Sequence, residues 1–546
     1  MSFDHRPYGA RAGVLGQALL IAAVVAALAA CSSNKSKPDE EGKLVGSPGE
    51  LTAHSEGEAS RRKAKRHGAL WYRIVVDGAE LAFKIRLLRP ADTTSFFLPG
   101  SGSDDEVSHA AITIGGASGP EGAVPVEQFP EEGRLDVETK GLPWVELDYR
   151  VDLKAFPDRP GRPTPRFTRD TALVYGPDVF VVPSKQVAAR MEDIPVELHA
   201  PKSWEVLATW NAKKQQPSSN DERRVVHGFV TSELRTLRDA FFVAGPDIEV
   251  ERGLGRGSSL TIALAPGLDA KKADIRDISQ KVLDRYRADY GSTGRVLAYF
   301  RRAEEDDPSG VRGTAKRRGF VVASDVDEPV DSDTALLVAH EAFHLWNGHE
   351  LIPEPEREKE TRWFKEGVTH YVAIKTLHQT GLLGFDAVRR ELARSAFNYM
   401  RNPASRGQRA TRLDLHRLPY DRGLLLALAL DAALMDCSGG NTTVGDWLTT
   451  LLEREDLFYT VETLHETFER TVGANCAAGD RLWRRHVVQD LPLNPEEIFA
   501  DVGLHFLEAS TFERTKVLPL EGGGRSFETM FSNAATHSTQ PTSTDE

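Results

Sequence analysis

The residues best suited to chemistry stand close together in the chain. In DTALLVAHEAFHLWNGHE, the run His340-Glu341-Ala342-Phe343-His344 sets two histidines four residues apart. Positions i and i+4 share one face of a helix, so both imidazoles can reach a single Zn²⁺. Glu341 is held beside them and points toward the water that such an ion would carry. Two imidazoles leave a tetrahedral site incomplete. Downstream, TRWFKEGVTHYVAIKTL reads as a second helix, and its Glu366 is the candidate third ligand, with the fourth position left to water or substrate. An ordinary amphipathic helix can also contain HExxH, and the chain holds 16 His; His349 and His370 are nearby alternative ligands.

A further feature is LPYDRGLLLALALDAAL. Tyr420 stands just before a long apolar helix, where its hydroxyl could donate to the oxyanion formed when water attacks a peptide carbonyl. The alternative is a tyrosine packing at the helix start. Arg422 either orients a substrate carboxylate or joins a surface salt bridge.

Together HEAFHLWN, WFKEGVTHYV and PYDRGLLLALALD resemble the glycyl aminopeptidase family within the gluzincin metallopeptidases. The resemblance implies one catalytic Zn²⁺ held by His340, His344 and Glu366, Glu341 as general base, Tyr420 as transition-state donor, and a peptide or protein substrate. It also implies a multidomain α+β chain: an N-terminal β-rich domain followed by a thermolysin-like, mainly helical gluzincin catalytic domain. The three motifs are specific, whereas the match over the front half rests on order and texture. Two departures stand out. The Gly-Gly-x-Glu-His segment by which such aminopeptidases hold the substrate amine has no counterpart in RRGFVVASDVDEPVDSDTALLVAHE, where Asp325, Asp327 and Glu328 either substitute for it or form a solvated acidic loop. No PDZ module is expected after the helical region. A catalytically inactive cell-envelope binding protein of the same fold is the alternative function, and the intact Glu341 argues for chemistry.

The supporting elements follow from periodicity. From 69 to 250, short β-prone runs such as ALWYRIVV, LAFKIRLL and WVELDYRVDL alternate with turn residues, and Asp77-Gly78 marks a hairpin. Trp71, Tyr72, Trp144 and Tyr149 read as packing residues of these strands. From 251 to 510 the period lengthens: LDAKKADIRDISQKVLDRYRADYG reads as a helix, GRVLAYF and GFVVASD as strands, and the remainder as mostly helical. Residues 511–546 read as a polar tail.

At the start, His5, Arg6 and Arg11 precede an apolar run from Val14 to Ala30, the order of a secretory signal over residues 1–30. Leu28-Ala29-Ala30-Cys31 resembles a bacterial lipobox, which implies lipidation of Cys31, a membrane anchor and export to the cell envelope. Ser32 after the cysteine resembles an outer-membrane destination, and residues 31–68 read as a flexible tether. Of the 3 Cys, Cys437 and Cys476 remain, as a disulfide or as two thiols. The 546 residues carry 68 Lys+Arg against 81 Asp+Glu, a net charge of −13 that disfavours nucleic acid as a partner.

Overall fold

The computed structural model describes residues 66–532 apart from 68, 100–105, 158–162, 185–186, 188–190, 214–215, 218–220, 256, 258, 304–311, 474–475 and 521–523. The signal segment, Cys31 and nearly all of the expected tether lie outside the described residues.

Alternating burial builds the front half. In β1 (Leu70–Val76) and β2 (Glu80–Leu88), joined at Asp77-Gly78, every second residue is buried, and the same holds along much of β4 (Trp144–Asp152). With β3 (Ile112–Gly119), β6 (Ile194–Pro201) and β7 (Arg224–Thr231) they form the body of a nine-stranded sheet in the order β7-β6-β1-β2-β4-β3. All these pairings are antiparallel except β6 with β1. Tyr72 and Tyr149 are core residues, their hydroxyls donating to Val181 O (2.9 Å) and Val179 O (3.1 Å). Trp71 and Trp144 are only half-buried and lie beneath the Arg86 guanidinium.

β5 (Thr171–Tyr175) and β8 (Phe241–Gly245) belong to a second, four-stranded sheet and are buried at every position. Alternation explains why. Ala172, Val174, Phe242 and Ala244 face the core of the front half, while Leu173, Tyr175, Phe241 and Val243 join the core of the back half. One sheet thus serves as a wall between two cores.

The back half opens with β9 (Glu249–Leu254), β10 (Leu260–Leu264), β11 (Val296–Arg302), β12 (Gly313–Lys316) and β13 (Gly319–Ser324), arranged β9-β10-β11-β13-β12. β10, β11 and β13 run parallel, and α1 (Lys272–Tyr290) makes the crossover from β10 to β11, burying Ile275, Val282, Leu283 and Tyr286. β12 returns antiparallel to β13 and forms an edge of the sheet.

The helices then pack on this sheet: α2 (Ser332–Phe343), a short helix Glu358–Arg362 running through a π-helical turn Trp363–Val368 into α3 (Thr369–Gln379), α4 (Phe385–Arg401), α5 (Arg412–Ser438) and α6 (Val444–Leu452). α5 starts at a capping box between Thr411 and Asp414, so Tyr420 lies two turns inside the helix rather than before it. Fully buried Asp431 ties three helices together, accepting from Tyr371 Oη (2.5 Å), Lys375 Nζ (2.9 Å) and the Val444 amide (2.6 Å). Cys437 and Cys476 form a disulfide that pins the end of α5.

The expected polar tail is corrected over residues 511–532. β15 (Lys516–Pro519) pairs with β14 (Leu504–Leu507), and α7 (Gly524–Ser532) buries Phe527, Met530 and Phe531. The reason is a short apolar stripe at i, i+3 and i+4 within an otherwise polar composition.

α5 crosses the π-helical turn at Gly367 and Gly423, where a β-carbon on either glycine would overlap the backbone of the opposite segment. This close approach brings Tyr420, one turn before Gly423, alongside Glu366. Gly423→Ala is expected to cost at least about 3 kcal/mol of stability, measured as a lower urea midpoint. An unchanged midpoint would show that the crossing can relax.

Candidate active site

Asp331 caps α2 by accepting from the Thr334 amide (2.9 Å). The apolar positions Ala335, Leu336, Val338, Ala339, Ala342 and Phe343 bury the helix and carry His340, Glu341 and His344 with it, each below 10% exposed. The two histidine Nε2 atoms converge to 3.1 Å. Glu366 Oε2 approaches them from the π-helical turn, 3.6 Å from His340 Nε2 and 3.3 Å from His344 Nε2. A π-helical turn holds one more residue than an α-turn within nearly the same rise, which changes the direction of the carboxylate relative to the flanking helices.

Hydrogen bonds behind the ligand candidates fix the donor atoms. His344 Nδ1 donates to Asn347 O (2.9 Å), which leaves the Nε2 lone pair directed at the cluster. Buried Asn347 donates through Nδ2 to Phe364 O (3.1 Å) and Thr369 Oγ1 (3.2 Å), joining the end of the first ligand helix to the turn bearing Glu366. Glu366 Oε2 has no well-formed hydrogen bond of its own; its approach to the two imidazoles is an ion contact by geometry. Two imidazole nitrogens and a carboxylate oxygen therefore converge in a buried space with a donor set suited to Zn²⁺. The residues fit the ion.

Electrostatics follow from this crowding. Burial pushes the Glu341 carboxyl up to about 7, with Glu366 adding to the rise and His344 and Lys316 opposing it. Burial also works against a charged Glu366, but His344 and His340 outweigh it and hold this carboxyl well below the usual range. At His340 burial dominates and lowers the pKa, whereas at His344 the Glu366 carboxylate overcomes burial and raises it. Burial likewise lifts the Tyr420 phenol well above its ordinary value. The Tyr420 ring stacks at 5.6 Å and 27° on His340.

His349 pairs with Asp239 (2.8 Å) beside the wall sheet, away from the ligand cluster. His370 is half-buried near His340, with ring centroids 5.5 Å apart, and stands outside the convergent donor set. Arg422 is in a salt bridge with Asp490 (2.8 Å). Asp325, Asp327 and Glu328 are exposed; the Asp325 carboxylate accepts from the Asp327 amide (2.9 Å), and Lys271 takes the carbonyls of Asp325 and Glu328.

Two contributors carry no sequence signal of a known type: Asn347, and Gly313 on the edge strand β12. A β-carbon at Gly313 would lie 2.5 Å from Glu341 Oε1, so the strand rests directly on that carboxylate.

Residues 333–413 match the family model for the M61 glycyl aminopeptidase. Among solved structures, an aminopeptidase N family protein from Idiomarina loihiensis is similar with TM-score 0.60 and 19% identity, over 80% of this chain and 79% of that one. An M1 zinc metallopeptidase from Deinococcus radiodurans is similar with TM-score 0.51 and 15% identity, over 77% of this chain and 92% of that one. No curated protein sequence matches significantly. The fold is that of these aminopeptidase structures. The segment that matches the M61 glycyl aminopeptidase model holds His340, His344 and Glu366; Tyr420 lies beyond the matched residues and is placed here by geometry alone.

Gly313→Ala should displace the Glu341 carboxylate without touching the three convergent donors. The expected outcome is a fall in kcat of at least about tenfold with zinc content unchanged, a tenfold change corresponding to about 1.4 kcal/mol in the barrier. Full kcat with normal zinc content would show that Glu341 need not occupy this position.

Proposed function

We propose that this chain is a zinc-dependent peptidase, exported and held at the cell envelope by a lipid on Cys31. The observation that carries the first part is the convergence of His340, His344 and Glu366 with Glu341 alongside. A zinc ion held by these three residues supplies Lewis-acid polarisation of the carbonyl and lowers the pKa of the attacking water. Glu341 takes the proton of that water and passes it to the leaving amine, a task suited to a carboxyl shifted toward neutrality. Tyr420 keeps its phenolic proton and donates it in a hydrogen bond to the developing oxyanion. Among the described residues no strand pairs with the outer edge of β12 beside Glu341, where an extended peptide can align as a further strand. No covalent acyl-enzyme is required.

Two features support export. Cys31 follows a signal-like apolar run, and the Cys437–Cys476 disulfide suits an oxidising compartment. Among the described residues no helix is long and apolar enough to cross a membrane. Cys31→Ser is expected to shift the protein from the membrane fraction to the soluble one; unchanged fractionation would remove the anchor from this reading.

The full-length, zinc-loaded chain in detergent should cleave peptides, lose activity with a chelator and regain it with Zn²⁺. Glu341→Gln should retain zinc while kcat falls by at least about 10²-fold, the lower range for loss of a general base. Equal turnover by this variant would overturn the base assignment. Paired peptides with free and acetylated N-termini decide between aminopeptidase action, confined to the free series, and endopeptidase action, which includes the blocked one.

A further inference from the structure

Away from the catalytic cluster, a second group of metal-ligating side chains gathers between two consecutive helices. The helix Val461–Val472 carries His465 and Glu469, and the next helix, Ala477–Leu482, carries Asp480. Positions i and i+4 set His465 and Glu469 on one face of their helix. The second helix starts from Cys476, whose disulfide to Cys437 ties it to the end of α5. Asp480 is therefore brought to that face by a covalent link as well as by packing.

One ring nitrogen and two carboxylate oxygens converge there, all within 4.8 Å of one another. His465 Nε2 is 3.9 Å from Glu469 Oε1 and 3.9 Å from Asp480 Oδ1. Both separations exceed hydrogen-bond length, and this nitrogen is a buried atom with no hydrogen-bond partner among the described residues. A point equidistant from three atoms so spaced lies about 2–2.5 Å from each, the bond length of a divalent cation to nitrogen and oxygen ligands. Among the described residues neither carboxylate has another ion pair. Two negative charges thus face one imidazole, the balance that a divalent ion neutralises.

The ring is held in place from one side. His465 lies flat against Trp483, with centroids 4.9 Å apart and planes at 22°, and Trp483 is buried. Stacking on a buried indole fixes the direction of Nε2, the task that the hydrogen bond to Asn347 O performs for His344. Trp483 in turn meets Trp363 edge to face at 5.9 Å, and Trp363 opens the π-helical turn that bears Glu366.

We propose that His465, Glu469 and Asp480 form a second cation site, structural rather than catalytic, that takes a divalent transition metal such as Zn²⁺ and clamps the two helices together beside Trp483. One imidazole with two carboxylates is a mixed donor set that suits Zn²⁺ or a neighbouring first-row ion, whereas Ca²⁺ and Mg²⁺ take oxygen ligands. Water completes the coordination, since the Glu469 and Asp480 side chains are 51% and 41% exposed. The same exposure makes this ion exchangeable and more weakly held than one at the enclosed catalytic cluster. The site stands independently of the peptidase reading.

The test counts metal on the full-length chain in detergent, by dialysis against buffered Zn²⁺ followed by elemental analysis. Free Zn²⁺ is raised to about 10 µM, ten times a Kd of about 1 µM, and bound zinc should climb from one to two ions per chain. Glu469→Gln and Asp480→Asn change exposed carboxylates without removing packing, and each should weaken the second ion by at least about tenfold, a loss that even an outer partner of a metal ligand can cause. His465→Ala should leave one ion and unchanged kcat. His344→Ala, which breaks the catalytic cluster, should keep the second ion. Filling the second site should raise the melting temperature of the wild-type chain and leave that of Glu469→Gln where it was. A zinc count that is the same in the wild-type chain, His465→Ala and Asp480→Asn would overturn the site.

Discussion

Three electron-rich atoms, two imidazole nitrogens and one carboxylate oxygen, are forced to within 3.1–3.6 Å of one another in a buried space. Nothing in their mutual interaction as neutral imidazoles and an anion would assemble them there, and desolvating them is costly. The surrounding packing must impose the arrangement. α2 brings both histidines because its apolar stripe is seated on the sheet; the π-helical turn brings Glu366 because it is clamped on one side by Asn347 and on the other by the Gly367–Gly423 crossing. The same crossing sets Tyr420 against His340. One steric constraint between two glycines therefore serves both the ligand and the phenol.

The wall sheet plays a comparable part on the substrate side. Because β5 and β8 are buried on both faces, the front half cannot pack as an independent appendage; half of their side chains belong to the core that supports the five-stranded sheet. Asp239, just before β8, extends that connection through its contact with His349 beyond the end of the ligand helix. The edge strand β12 lies with its Gly313 backbone against Glu341.

The parts of this arrangement that can be read from the chain are those governed by local periodicity. His340, Glu341 and His344 are legible because a helix repeats nearly every four residues, and the ribbon-like front half because its strands repeat every two. Glu366 is legible as a residue type, although its π-helical setting depends on packing against α5, for which no local pattern exists. β12 is four residues, GTAK, with no apolar alternation, and only its place on the sheet gives Gly313 meaning. The doubly buried strands TALVY and FFVAG are visible as apolar runs, but burial on both faces erases the alternation that would have assigned each side to a core. Segment 511–532 was masked by composition: three apolar residues decide its fate, and their neighbours are polar. The pairing of Cys437 with Cys476, 39 residues apart, depends on how the later helices fold back on α5.

The charge distribution within the site explains how one set of residues can serve two states. Burial and charge act in opposite directions on the three residues: the histidines hold the Glu366 carboxyl down, Glu366 raises His344 against burial, and burial lowers His340. A divalent ion held by these residues would need the His344 Nε2 lone pair, so ion and proton would compete for one atom. The Asn347 carbonyl fixes the opposite nitrogen of the ring in both states. Replacing a proton there by a divalent ion would add one positive charge, which the Glu366 carboxylate is placed to offset.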